Sequence, residues 1–429
     1  MTATGEPEEG LGEEGATRLR RLAIDLSPLR ASREFRLIWL GLLVTSTGSQ
    51  FTLVAVFVQV TRLTGSEAAV GATGLAYLLG LVAGSLGGGA ILDAWDRRRL
   101  LMVAQVGLAV GSSTLLAGAI AGRPPLWLIF AGLAVLAASS SLDGPTRSAI
   151  VARVLEPAQL PAAQALNQVV WNTAALVGPL LAGLVIAWSG GVTAAYAVDL
   201  ASIACMFVAA TLLRPMPPLR EDHADTGIRA IREGFDFARK NRLIMSTFVI
   251  DLIAMVFGLP RVLFPFLIVE KFHQDPDAIG LLFAALAVGA LIGALTSGWT
   301  RRIHRQGLAV IVSVAAWGVA IVGFGWSSPF WLGLVMLALA GWADVISAIF
   351  RTTILQMSAP DRLRGRLFGI HILVVTGGPR LGDVEGGLVA RLASPTFSIV
   401  FGGVACVLGA GLVALLYPEL RRARTPHAS

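Results

Sequence analysis

The sequence predicts an all-α membrane protein with twelve transmembrane helices in two six-helix halves. Three observations predict it. Hydrophobic residues fill 55% of the 429 positions and charged residues only 14%, where a soluble domain carries about 25% charged residues. The mean hydropathy is +0.73. Twelve apolar runs approach the roughly 17–25 residues that cross a bilayer. They cover 36–60, 68–92, 99–121, 126–147, 163–188, 192–213, 243–269, 278–300, 306–326, 329–351, 367–391 and 396–417.

Residues 1–35 precede the first span and open with Glu6, Glu8, Glu9, Glu13 and Glu14, a composition expected of a disordered cytoplasmic tail. The N-terminal half is expected over 36–213 and the C-terminal half over 243–417, with a cytoplasmic tail at 418–429. Between the halves, residues 214–242 open with Pro215, Pro217 and Pro218 and then become amphipathic. Ile228, Ile231, Phe235 and Ala238 recur at helical spacing opposite Arg229, Arg232 and Arg239, which predicts a helix along the inner membrane surface.

The hairpin ends alternate in character. Arg97–Arg99, Arg153, Arg301, Arg302, Arg305, Arg362, Arg364 and Arg366 mark one set, while Ser189-Gly190-Gly191 and Ser327-Ser328-Pro329 are uncharged members of the other. In this topology 28 of the 34 Lys and Arg residues face one side and 4 the other. Such a bias places both termini in the cytoplasm. The formal charge of +7 therefore reads as membrane topology, and its short clusters between apolar runs exclude a nucleic-acid surface.

The halves repeat each other. Ala69-Val70-Gly71 matches Ala278-Ile279-Gly280, and Gly89 matches Gly298 at the same offset. Arg147 matches Arg351, and Gly178-Pro179 matches Gly378-Pro379. Parallel repeats with a binding site between them near the midplane are one way of building secondary transporters.

The charged turn after span 2 runs Gly89, Ala90, Ile91, Leu92, Asp93, Ala94, Trp95, Asp96, Arg97, Arg98, Arg99. It resembles the signature between helices 2 and 3 of the major facilitator superfamily (MFS) of secondary transporters, with Ala94 in place of a basic residue and Asp96 in place of the second glycine. In span 5, Ala174-Ala175-Leu176-Val177-Gly178-Pro179-Leu180-Leu181-Ala182-Gly183 resembles the helix-5 signature of MFS antiporters, with alanine at two glycine positions. Gly178, Pro179 and Gly183 carry that likeness, which implies export. In the second half, Arg261-Val262-Leu263-Phe264-Pro265, Ile279-Gly280-Leu281-Leu282-Phe283 and Gly289 to Gly298 are similar to the enterobactin exporter branch, which also contains multidrug and macrolide exporters. The resemblance covers residues 33–417. It implies proton-driven export of a bulky organic compound.

Ionisable residues inside spans are the main functional candidates, because each costs roughly 2.5–3.5 kcal/mol at the bilayer centre on insertion scales. Asp344, Asp251, Arg380, Asp383 and Asp199 are the candidates for proton coupling, since carboxylates withdrawn from water can exchange protons during a cycle. Arg380 and Asp383 are three apart on one helix face. An interhelical ion pair that never titrates is the alternative for each. By resemblance, Gly89, Asp93, Arg98, Asp143 and Arg147 form a latch between the halves at the cytoplasmic face. Gln50, Phe51, Trp171, Phe257, Arg261, Phe264 and Trp342 are candidates to line the substrate cavity.

Several chemistries are missing. The only lysines, Lys240 and Lys271, do not follow glycine, so no phosphate-binding Gly-Lys-Ser/Thr loop exists. The five histidines are scattered, and Cys205 and Cys406 lie in apolar runs. Neither an enzyme activity, a cofactor nor a metal is expected. The expected partners are a small-molecule substrate, protons and the lipid bilayer, for a monomer in the bacterial inner membrane. An MFS transporter of another cargo, such as a lysolipid or metabolite, is the alternative.

Overall fold

The computed structural model describes residues 25–217, 228–275 and 278–423. Twelve principal helices follow the twelve expected runs. They are α1 (Arg33–Thr64), α2 (Glu67–Ala94), α3 (Arg97–Ile120), α4 (Leu126–Val154), α5 (Leu160–Ser189), α6 (Thr193–Thr211), α7 (Arg242–Phe257), α8 (Ile279–Leu295), α9 (Gln306–Trp326), α10 (Phe330–Ser358), α11 (Asp361–Leu392) and α12 (Pro395–Leu416). Local chemistry sets their ends. Ser32 caps α1 by accepting from the Phe35 amide at 3.1 Å, and Asp96 caps α3 by accepting from the Arg99 amide at 3.1 Å. Gly65 (φ 58°) and Gly190 (φ 67°) end α1 and α5 in the left-handed conformation that glycine tolerates.

Ten segments among the described residues are long and apolar enough to cross a membrane. The other two principal helices fall short for different reasons. Helix α8 has 17 residues and continues as the 3₁₀ turn Ser297–Arg302. Helix α11 has 32 residues but carries Arg380, Asp383, Glu385 and Arg391 along its length.

Span 7 departs from the uninterrupted run expected over 243–269. Helix α7 stops at Phe257, and the chain continues through a 3₁₀ turn (Arg261–Leu263), one helical turn (Phe264–Phe266) and a π turn (Leu267–Lys271). Pro260 and Pro265 each remove a backbone donor and restrict φ, which breaks the ladder here. The break brings the Arg261–Leu263 turn against both α2 and α11.

The packing is two-fold repetitive. In the first half α1 packs on α5 and α6, α2 on α4, and α3 on α4 and α6. In the second half α7 packs on α11 and α12, α8 on α10, and α9 on α10 and α12. Adding six to each helix number converts one set into the other. The helix pairs that join the halves most extensively, α2 with α11 and α5 with α8, also exchange under that operation.

Both joining seams close at the arginine-poor end. A Cβ on Gly71 would stand 2.7 Å from the Asp383 carbonyl oxygen and 3.1 Å from the Gly387 Cα. One on Gly280 would stand 2.7 Å from the Pro179 carbonyl oxygen and 3.1 Å from the Leu180 Cα. Only glycine lets the backbones approach so closely. Towards the arginine-rich end α5 instead exposes Gln164, Gln168, Trp171 and Asn172.

Two flanking segments are more ordered into the bundle than their sequences suggest. The linker helix Ile228–Lys240 packs on α7 and α11, with Ala238 fully buried and Phe237 against the same cluster, while Phe235 is exposed. Residues Pro418–Arg422, expected as part of a tail, form a helix docked on α9, with Leu420 fully buried. The disorder expected for the N-terminal tail concerns mainly residues 1–24, which lie outside the described residues; Ser27–Ala31 is a short helix.

Candidate transport pathway

The proton-coupling candidates separate into three groups. In the first, Asp251 of α7 forms a buried ion pair with Arg351 of α10. Arg351 also reaches Asp344, two turns earlier on the same face of α10, at 3.8 Å, and His371 of α11 places Nδ1 3.6 Å from Asp251. Asp251 and Arg351 are withdrawn from solvent, whereas the Asp344 side chain is 37% exposed. The same arginine therefore connects a buried carboxylate with a partly exposed one.

The second group lies on the seam. Arg380 and Asp383 pair at 3.6 Å along α11, and the Arg380 guanidinium stacks 4.2 Å from the Tyr77 ring centroid of α2, in the other half. Arg261 sits on the turn created by the broken span 7, which packs on α11, the helix of Arg380 and Asp383. The resulting series runs from the core of the second half to its boundary with the first: Asp251, Arg351, Asp344, Arg261, Asp383 and Arg380.

Asp199 stands apart. It is buried in α6 and accepts hydrogen bonds from Thr52 of α1 at 2.8 Å and Ser112 of α3 at 2.9 Å. Two neutral hydroxyls on one carboxylate oxygen fix its position between three helices without neutralising it.

Helices α1 to α6 line a cavity of about 300 Å³, which α11 reaches through Arg380. Its lining includes Gln50, Tyr77, Asp143, Arg147, Trp171, Asp199 and Arg380. The other aromatic candidates do not line it. Phe51 is buried in the core, and Phe264 is fully buried with its ring edge-on to Phe283 at 4.9 Å. Phe257 packs edge-on with Phe401 at 6.5 Å, and Trp342 stacks on Trp299 at 6.3 Å. Apolar rings at this depth fill space between helices before they fill a cavity.

The latch candidates make contacts inside the first half. Asp143 pairs with Arg147 at 2.5 Å within α4 and accepts from Gln105 of α3 at 2.8 Å. Arg98 donates to the carbonyls of Ala210 at 3.3 Å and Thr211 at 2.6 Å, closing the end of α6. Gly89 and Asp93 lie within α2, and their side-chain surroundings fall outside the described residues. Gly178 faces α1, where an added Cβ would strike Gln50, while its neighbours Pro179 and Leu180 meet Gly280 across the seam. Gly183 is buried on the same helix.

Sequence reasoning passed over Arg351 as a partner for Asp251, because the two are 100 positions apart. It also passed over Thr52, Ser112, Gln105 and Tyr77. Only the repeat match of Arg351 with Arg147, and the lone intramembrane His371, pointed towards the network.

A family model described as "Transmembrane secretion effector" matches residues 23–426. The chain belongs to that family, within the major facilitator superfamily. It is 29% identical over 423 residues to the enterobactin exporter EntS of Citrobacter koseri, covering 94% of this chain and 96% of that protein. Solved MFS structures share the fold. A POT family transporter in complex with 5-aminolevulinic acid superposes with a TM-score of 0.74 at 10% identity, covering 91% of this chain and 97% of that one. A bacterial homologue of the human lysosomal transporter Spinster gives a TM-score of 0.72 at 14% identity, covering 92% and 99%. This MFS membership assigns the chain to transport rather than catalysis.

Proposed function

We propose that the chain exports a bulky amphipathic organic compound, a siderophore or a drug, by proton antiport with rocker-switch alternating access. The observation that carries this reading is the series of intramembrane charges from Asp251 to Arg380, which ends beside a cavity of the first half that Arg380 reaches from the second. The series contains three carboxylates, Asp251, Asp344 and Asp383, and three guanidiniums, Arg351, Arg261 and Arg380. A proton taken up by any one carboxylate unbalances it and frees an arginine to change partner. Such exchange of ion pairs can bias a two-state packing. Asp344 is the entry point, because it is the accessible acid on Arg351. One elementary charge crossing the membrane supplies about 2.3 kcal/mol per 100 mV to drive the cycle.

The arginine-rich end is assigned to the cytoplasm of a bacterial inner membrane by the bias of basic residues. The structure then corresponds to a state closed towards the outside. In this reading the latch of Asp93, Arg98, Asp143 and Arg147 forms only in the opposite state.

Two features support an oxygen-rich, acidic cargo. Arg147, paired with Asp143, borders the cavity, and Arg380, paired with Asp383, lines the same space. The naming of the relatives as enterobactin exporters supports a siderophore. The test is efflux from cells expressing the chain, against a panel of siderophores, macrolides, tetracyclines and cationic dyes, with and without a protonophore. Protonophore-sensitive export of a siderophore is the expected outcome. Export of several unrelated drugs would instead assign a loose multidrug site. Efflux that ignores the protonophore would overturn proton coupling.

A further inference from the structure

The C-terminal helix Pro418–Arg422 is held in place at three points. Glu419 pairs with Arg242 at the start of α7 at 2.9 Å. Leu420 is fully buried. Gly307 of α9 has no side chain where the Leu420 carbonyl approaches, and its amide donates to the Ala423 carbonyl at 3.4 Å. The helix therefore sits rigidly beside the first turn of α9.

This docking has an electrostatic cost. It holds Arg421 and Arg422 against Arg305, which immediately precedes α9, around a pocket of about 450 Å³ whose remaining lining residue is Leu308. All three arginines are exposed, and none has an acidic partner among the described residues. The only carboxylate of the short helix, Glu419, is turned to Arg242. Like charges held together without a counter-charge repel one another. The arrangement becomes favourable when an anion supplies the missing charge, and guanidinium groups match phosphate oxygens geometrically.

The level in the membrane narrows the ligand. Helix α9 starts at Gln306 and α12 ends at Leu416, so the three arginines ring the ends of two spans, at the depth of lipid headgroups. Leu308 adds an apolar wall one turn inside. Basic pockets between helices at this level suit acidic headgroups.

We propose that Arg305, Arg421 and Arg422 form a phosphate-binding site, filled by the headgroup of an anionic phospholipid. This site is independent of the transport pathway and of the cargo assigned above. Its function is to fasten the C-terminal helix, and through Glu419 and Arg242 the start of α7, to the acidic leaflet.

The test uses the full-length protein in phosphatidylcholine nanodiscs titrated with phosphatidylglycerol, with bound lipid read by native mass spectrometry after release. The triple variant Arg305→Gln, Arg421→Gln, Arg422→Gln is compared with a control of equal charge loss, Arg30→Gln, Arg99→Gln, Arg239→Gln. The site predicts phosphatidylglycerol binding at least about tenfold weaker in the first triple and near wild type in the second. Equal weakening in both would reduce the effect to general surface charge and overturn the proposal. Inorganic phosphate is titrated separately. Saturable protection by phosphate that the first triple abolishes, without lipid retention, would keep the phosphate site and assign it to a soluble source. The single variant Arg305→Gln leaves the docked helix untouched, so lipid binding there tests the site should the triple fold poorly. Unchanged affinity in this variant would also overturn it.

Discussion

Arg351 of α10 and Asp251 of α7 form an ion pair sealed from solvent, and Arg351 also reaches the partly exposed Asp344. Removing one member of a buried pair leaves the other charge uncompensated, at a cost of about 3–5 kcal/mol. Asp251→Asn should accordingly lower the thermal midpoint in detergent markedly. The double variant Asp251→Asn, Arg351→Gln should regain much of that loss. A double variant as unstable as the sum of the singles would show that the two residues do not depend on each other.

Asp344→Ala should abolish proton-driven export and leave membrane abundance unchanged, because the side chain is accessible and its loss leaves the Arg351–Asp251 pair intact. Substrate exchange without a proton gradient should survive. The measurement is uptake into inverted vesicles, and normal gradient-driven uptake by this variant would remove Asp344 from the coupling path.

Gly71→Ala and Gly280→Ala should each favour the state open at the arginine-poor end. Overpacking at a close backbone contact costs about 1–3 kcal/mol, enough to change a two-state ratio by roughly 5- to 150-fold. Spin labels at Ala68 and Leu392, in a background with Cys205→Ser and Cys406→Ser, report the separation of α2 and α11. An unchanged distance distribution in both variants would refute the assignment of these glycines to the seal.

The hydroxyls on Asp199 should matter for stability more than for turnover. Thr52→Val with Ser112→Ala removes both donors, and each buried acceptor site left unmet costs about 1–3 kcal/mol. Asp199→Asn keeps an acceptor for both hydroxyls and should fold as the wild type does. Scanning calorimetry of the two variants separates these outcomes, and equal midpoints would contradict the role given to Thr52 and Ser112.

Gly307→Ala should undock the C-terminal helix, because its new methyl group collides with the Leu420 carbonyl. Trypsin should then cleave after Arg421 and Arg422 about tenfold faster, in line with a local opening made about 1.4 kcal/mol easier. Cleavage at the wild-type rate would mean that the helix tolerates the methyl group.

Much of the fold was legible in the sequence because membrane spans announce themselves by length and composition. The same signals located the twelve runs and the repeat from Gly71 and Gly280. The broken span 7 was written in Pro260 and Pro265, but a continuous apolar run masked it. The docked C-terminal helix was hidden because Leu420 is a single apolar residue among charges, and only Gly307 on another helix explains its burial. The site was legible as a set of costly residues and not as pairs. Asp143 with Arg147 lies within one helical turn and could be read locally. Asp251 with Arg351, and Arg380 with Tyr77, join distant segments, and no local spacing encodes them. For the aromatic candidates depth was a poor guide, since Phe51 and Phe264 serve packing while Trp171 reaches the cavity.

The two joining seams are images of each other, yet their chemistry has diverged. Helix α5 meets α8 through Pro179, Leu180 and Gly280, with no charge at that contact, whereas α11 meets α2 with Arg380 and Asp383 beside it. A duplicated architecture thus gives one copy the task of keeping the barrier tight and leaves its twin at liberty to become a sensor. If α11 carries the proposed coupling, changes in it can retune which signal moves the molecule while the uncharged α5 contact is left as it is.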